Sequence, residues 1–141
     1  MFAQPAYQVD AQQVLDNYQG FSFCETPTNA VAFERFVNDL AKIEAPRVRF
    51  EQIRRDLCSQ CLLTPQVYEM MQLFQDPSLQ YDLMRIIYYY SYDPENFIQL
   101  LPFMEGDLYR QRFKTFLDER IYPVREEMEN RRQLLDPTEM K

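Results

Sequence analysis

Two cysteines separated by two residues are the part of this sequence with the clearest chemical potential. Cys58 and Cys61 enclose Ser59-Gln60, a spacing used by thiol–disulfide enzymes and by metal sites. Redox enzymes place such a pair at a helix N-terminus, but the apolar spacing here puts it near the end of a helix, where the dipole opposes the thiolate. A closed zinc site needs two more ligands, and only Cys24 remains. We therefore expect apolar roles for these cysteines, with no metal and no cofactor.

The cysteine count also bears on the oxidation state. Three cysteines are an odd number, which argues against a disulfide framework. Reduced thiols would suit an intracellular protein, whereas one disulfide with one free thiol stays open as an alternative.

An aromatic stripe with one arginine is the second candidate site. At about 100° per residue, a helix carries these side chains on the face opposite Leu83 and Ile86. The stripe consists of Tyr81, Arg85, Tyr88 and Tyr92. Such residue types are enriched at binding hot spots, but a central helix surrounded by others would bury them. We favour burial and keep partner binding as the alternative.

Composition excludes several function classes. The chain has no histidine, the commonest general base and metal ligand, and only two glycines, so phosphate-cradling loops are absent. A net charge of −7 opposes nucleic-acid binding. No apolar run approaches the length of a membrane span, so we expect a soluble chain without membrane insertion, either intracellular or exported with a signal peptide removed.

The elements that carry these residues are predicted to be helices. Apolar residues recur at helical spacing, as at Phe33, Phe36, Val37 and Leu40. Asp10 is predicted to cap a short first helix that Gly20 would end. Thr64, Asp76 and Asp93 are predicted to cap later helices, because each precedes a proline that suits the first turn. Residues 47–74 and 78–103 also align as two similar helical hairpins. We predict an all-α, compact bundle of about seven short helices in stacked hairpins.

The last segment differs in its charge pattern. Residues 122–141 have few apolar positions and mixed charges, which predicts a charged C-terminal helix and tail outside a helical domain of residues 1–121. Residues 1–9 are predicted to form an arm of that domain. Pro123 either kinks the preceding helix or starts another. The segment is a candidate docking element, with Arg125, Arg131 and Arg132 as binding residues.

The stretch from about Phe33 to Leu117 resembles a helical domain-of-unknown-function family, number four-four-seven-six, which is often found in exported bacterial proteins. The residues that carry the resemblance are Leu63-Thr64-Pro65-Gln66-Val67 and, most specifically, Tyr92-Asp93-Pro94-Glu95-Asn96-Phe97. The resemblance implies a compact helical fold and no assigned activity. The cysteines and the charged tail depart from the family pattern.

Taken together, the sequence predicts a non-enzymatic helical protein–protein interaction module, an adaptor or a subunit of a larger assembly. Its partner is expected to be a protein of unidentified kind, and its oligomeric state stays open. The alternative is a thiol-redox or small-ligand-binding protein that uses Cys58 and Cys61 or the tyrosine cluster.

Overall fold

A computed structural model describes residues 7–135, with side chains placed as far as residue 133. Its elements are all helical: α1 Ala11–Asn17, α2 Ala30–Ala41, α3 Pro46–Asp56, α4 Thr64–Met71, α5 Pro77–Ile87 and α6 Asp107–Leu135, with 3-10 helices at Leu57–Ser59, Tyr88–Tyr90 and Pro94–Phe103. The predicted all-α fold is confirmed. No helix in the described part of the chain is long and apolar enough to cross a membrane.

The core forms around α5, because the other helices direct their apolar stripes towards it. Leu83, Met84 and Ile87 of α5 are completely buried, and so are Phe97 of the long 3-10 helix and Phe113 of α6. α5 packs against α3, α4 and α6. Burial of this apolar surface from several sides is the main force that stabilises the bundle.

The two predicted hairpins meet at their connections. Leu62 forms a parallel bridge with Ser91, in which Leu62 N–H donates to Tyr90 O and Tyr92 N–H donates to Leu62 O, both at 2.8 Å. The same connections bring the backbone N–H of Thr64 to the Oδ1 of Asp93 at 2.9 Å. The equivalent turns of the two hairpins therefore hold each other by backbone pairing.

Asp93 is fully buried at this junction. Its Oδ2 accepts a hydrogen bond from Asn96 Nδ2 at 2.8 Å, while its Oδ1 caps α4 through Thr64. Loss of hydration raises the pKa of this carboxyl, and the hydrogen bonds from Asn96 and Thr64 counteract the rise in part. The residue that was predicted to cap its own helix thus caps a different one.

The segment after Asp93 was expected to form an α-helix, and it is a 3-10 helix of ten residues instead. Asp93 makes no side-chain cap to it, because the carboxylate is directed to Thr64 and Asn96. Pro102 lies inside it and has no N–H to donate to an α-helical bond. The predicted caps of α1 and α5 are confirmed, since Asp10 accepts from Gln13 N and Asp76 from Ser78 N. The predicted cap at Thr64 is wrong, because α4 begins at Thr64 itself and Leu63 occupies the cap position.

The chain between α1 and α2 is an extended link that lies against the core. α1 ends at Asn17, so Gly20 is not its terminal residue; a side chain on Gly20 would overlap the carboxylate of Glu95. Phe23 N–H donates to Ser91 O at 3.0 Å, and Thr28 N–H donates to Cys61 O at 2.8 Å. These bonds bring the link beside the connections of the hairpins.

This course of the link corrects the prediction for the cysteines. A disulfide joins Cys24 to Cys61, with 5.8 Å between their Cα atoms, and Cys58 is free and exposed. The short spacing from Cys58 to Cys61 does not produce a bond between them, because Cys24 of the link lies against the extended residue Cys61. The alternative of one disulfide with one free thiol is the one that the structure has.

The last helix is longer than predicted. α6 continues without a break through Pro123, which neither ends it nor starts an eighth helix, so the expected division after residue 121 falls inside one helix. Val124 and Met128 are half-buried, and Arg125 makes an ion pair of 2.8 Å with Glu95. Tyr7, at the predicted arm, packs against Tyr68 and Phe103; residues 1–6 of that arm lie outside the described residues.

Candidate partner-binding surface

A groove of about 520 Å³ runs between α5 and α6 on the surface of the bundle. α5 contributes side chains one turn apart, and α6 contributes a stripe at the helical spacing of three and four residues. The side chains that define this α5–α6 groove are Tyr81, Arg85, Leu108, Arg112, Thr115, Phe116 and Arg120, with Gln111 and Glu119 also present. Three arginines and one glutamate therefore line it, in a protein whose net charge is −7.

Two of the arginines are held on aromatic rings. The guanidinium carbon of Arg85 lies 4.7 Å from the centre of the Tyr81 ring, and that of Arg120 lies 3.7 Å from the centre of the Phe116 ring. Arg85 also pairs with Asp82 at 2.6 Å, and Arg120 lies 3.7 Å from Glu119. Stacking of this kind fixes the plane of a guanidinium and leaves its edge able to donate to an anion.

The third arginine is differently placed. Arg112 is exposed, and its guanidinium lies 5.7 Å from the centre of the Tyr109 ring. Within residues 7–135 it forms no ion pair. Among the three arginines of the groove, Arg112 is therefore the one whose charge is not offset by a neighbouring carboxylate of the described residues.

Exposed apolar side chains extend along the same face of α6. Leu108 is 55% exposed and Tyr122 is 59% exposed. Thr115 lies midway between them, about two helical turns from each, so the three residues share one face of the helix. On the other side, Tyr89 is 48% exposed and its hydroxyl accepts a hydrogen bond of 2.8 Å from Arg120 Nε. The ring of Phe23 lies 5.6 Å from that of Tyr89. The α5–α6 groove therefore lies within a wider aromatic surface.

The structure divides the predicted tyrosine and arginine stripe. Tyr81 and Arg85 lie together in the groove. Tyr88 is 1% exposed, with its ring against Phe97 and Phe116, and it presents no surface to a partner. Burial is the main cause that raises the pKa of Tyr88 to about 12.

The fourth member of the stripe is on a different surface. Tyr92 is half-buried in the connection after α5, where its ring lies 6.1 Å from that of Tyr18. Desolvation raises the pKa of Tyr18 well above its usual range. The periodicity of the stripe does not hold here because α5 ends at Ile87 and a 3-10 turn changes the direction of the side chains.

The three predicted arginines of the C-terminal segment lie apart from the groove residues. Arg125 is paired with Glu95, and Arg131 is paired with Glu127 at 2.7 Å, one turn away on α6. Arg132 is exposed and lines a shallow depression with Arg125 and Gly20. Two of these three charges are therefore already engaged by carboxylates of the same chain.

The cysteines and acidic residues were the remaining candidates for a metal or redox site. No group of three or more His, Cys, Asp or Glu residues between 7 and 135 is placed to hold a metal ion. Cys61 is committed to its disulfide, and the thiol of Cys58 lies 3.8 Å from the carbonyl of Arg55. The cysteine spacing therefore does not form a paired redox motif in this state.

Sequence reasoning missed the α6 half of the groove. Leu108, Arg112 and Arg120 were not candidates, although the spacing of Leu108, Arg112 and Thr115 was available as a signal. This spacing indicated no site, because the buried stripe through Phe113 and Leu117 is sufficient to explain why the segment forms a helix. The exposed face becomes informative only when α5 is known to lie beside it.

Comparison of this chain with family models, with curated proteins and with solved structures finds no match. The resemblance of residues 33–117 to a domain-of-unknown-function family stays a prediction.

Proposed function

We propose that this protein is a non-enzymatic interaction module, an adaptor or a subunit of a larger assembly, and that it binds a protein partner through the α5–α6 groove. The observation that carries the proposal is the concentration of arginines stacked on aromatic rings beside exposed apolar side chains. Arg, Tyr and other aromatic residues dominate the binding energy of protein interfaces.

Contacts that hold Arg120 in place on one side of the groove support this role. Arg120 is held by Phe116 and by the Tyr89 hydroxyl, and Phe116 itself is 9% exposed and part of the core cluster. Side chains that are already ordered lose less conformational entropy when a partner binds. A preorganised surface of this composition is suited to specific recognition.

A steric block of the groove tests the proposal. Thr115→Trp would fill the groove from an exposed position of α6, and Val48→Trp would add the same bulk at an exposed position of α3. We expect the wild-type protein and Val48→Trp to recover one stoichiometric partner from a lysate of the source cells. Thr115→Trp should lose most of that partner while its circular dichroism and thermal unfolding stay unchanged.

Two results would contradict the proposal. Equal recovery by both variants would place the interface elsewhere, for example on residues 122–135. Recovery of no stoichiometric partner by the wild-type protein, from lysates prepared with and without cross-linking, would contradict the interaction role itself.

A further inference from the structure

We infer that the α5–α6 groove accepts an acidic segment of the partner protein, with carboxylates on the arginines and one apolar side chain between them. The inference rests on the proposed function, and it adds the chemistry of the partner. Its basis is charge complementarity, since the groove concentrates cations on a chain that is acidic as a whole.

The positions of the charges favour carboxylate partners. Arg85 and Arg120 each have a neighbouring carboxylate, and both guanidinium planes are fixed by stacking. Arg112 has neither a carboxylate nor another acceptor within the described residues, so its forked donors are free. Arginine donates to carboxylates in a two-bond geometry that lysine cannot provide.

The apolar part of the groove sets a second requirement. Leu108 is 55% exposed at one end, and the Tyr81 and Phe116 rings lie under the stacked guanidinium groups. A peptide made only of carboxylates would leave Leu108 exposed to water. We therefore expect a segment in which acidic residues flank a leucine-like side chain, because this side chain would bury the apolar surface of Leu108.

The same observations disfavour a polyanion such as nucleic acid. Phosphate neutralisation dominates nucleic-acid affinity, and a net charge of −7 repels a long polyanion outside the groove. A short acidic peptide meets less of this repulsion because it contacts only the groove, and physiological salt screens its interaction with the more distant acidic residues of the chain.

The test uses a fluorescein-labelled peptide in which pairs of glutamates alternate with single leucines, compared with a peptide in which glutamine replaces every glutamate. We expect the glutamate peptide to bind the full chain about tenfold more tightly, as a charge-assisted hydrogen bond predicts. Its binding should weaken as salt is raised. Amide resonances of Arg85, Arg112 and Thr115 should shift in the NMR spectrum.

A matched pair of charge reversals locates the site. Arg112→Glu should weaken binding of the glutamate peptide by at least about tenfold, whereas Arg35→Glu, an exposed arginine of α2, should leave it nearly unchanged. Both variants change the net charge equally, so a difference between them reports the groove. Equal loss in both variants would overturn the inference, as would shifts confined to other helices or no binding of the glutamate peptide.

Failure of the inference and failure of the proposed function are distinguishable. If Thr115→Trp loses the cellular partner but Arg112→Glu retains it fully, the groove is the interface and the acidic-segment inference is wrong. A DNA or RNA oligomer that displaces the glutamate peptide and binds more tightly would also overturn the inference, because the partner would then be a polyanion.

Discussion

At the scale of single residues, Tyr88 is the position where packing and polarity conflict. Its ring packs against Phe23, Phe97 and Phe116, while its hydroxyl is buried and has no hydrogen-bond partner among the described residues. A hydroxyl that is removed from water without a partner costs free energy, and the ring contacts must offset that cost. The residue therefore contributes to stability through its ring alone.

We predict that Tyr88→Phe raises the free energy of unfolding by about 1 kcal/mol, because the ring contacts stay and the unpaired hydroxyl is removed. Urea denaturation at neutral pH measures the change. Tyr122→Phe, at a residue that is 59% exposed, is the control and should leave the stability within about 0.5 kcal/mol of wild type. A clear loss of stability in Tyr88→Phe would mean that the hydroxyl has a partner.

The same substitution should change the response to alkaline pH. The pKa of Tyr88 is raised from 10.0 to about 12 in the folded protein, so the unfolded chain releases this proton first. Stability therefore falls as the pH rises through this window. Tyr88→Phe should show a shallower fall than wild type, and an identical slope would contradict the assigned burial. Tyr7, whose pKa is also raised to about 12, accounts for part of the fall that remains.

At the scale of elements, two arginines close the ends of helices in the same way. Arg49 of α3 donates to the carbonyls of Leu40 and Ile43 at the end of α2, and Arg110 of α6 donates to Leu101 and Met104 at the end of the long 3-10 helix. In each case the two carbonyls belong to the residues nine and six positions before the arginine. Terminal carbonyls of a helix have no partner within the helix, and these side chains supply one.

We predict that Arg110→Met lowers the free energy of unfolding by about 2 kcal/mol, because the carbonyls of Leu101 and Met104 lose charged donors while the apolar stem is retained. Arg112→Met, two residues later and exposed, is the matched control and should change stability by less than about 0.5 kcal/mol. Chemical denaturation compares them. Equal effects of the two substitutions would show that Arg110 contributes only surface charge.

Helix positions could be predicted from the sequence wherever the cause is local. The spacing of Phe33, Phe36 and Leu40 and the caps at Asp10 and Asp76 depend on residues within one or two turns, and the structure confirms them. The role of Asp93 could not be predicted, because its partner Thr64 is 29 residues away in the chain. A local rule assigned the cap to the nearest helix.

At the scale of the whole molecule, the candidate site could be predicted only where its residues lie on one helix. Tyr81 and Arg85 share one helix, so their proximity followed from periodicity. Their neighbours Arg112 and Arg120 belong to α6, and only the packing of α5 against α6 brings the two sets together. Tyr88 is buried, as the favoured interpretation of the stripe predicted, whereas Arg85 of the same stripe is exposed. Periodicity alone does not tell which part of a central helix the other elements cover.

The link from α1 to α2 is the other feature that the whole molecule determines. Cys24 and Cys61 are separated by 37 residues, and their disulfide ties the link to the junction of the hairpins. Cross-linking over this separation restricts the unfolded chain, which the loop-entropy model values at about 4 kcal/mol. The free thiol of Cys58 lies inside the closed loop, three residues before Cys61, and takes no part in the cross-link.

We predict that Cys24→Ser, made in a Cys58→Ser background, lowers the free energy of unfolding by about 3–4 kcal/mol, whereas Cys58→Ser alone changes it by less than about 0.5 kcal/mol. The background removes the thiol that could otherwise pair with the released Cys61. Urea denaturation in the absence of reductant provides the measurement, and thiol titration of the denatured wild-type protein should count one free cysteine. If all three thiols titrate, the disulfide between Cys24 and Cys61 is absent and the stabilisation assigned to it is wrong. If Cys58→Ser is instead the more destabilising change, Cys58 has a structural or redox partner, and the thiol-redox alternative to an interaction module gains the support that the pairing of Cys24 with Cys61 withholds from it.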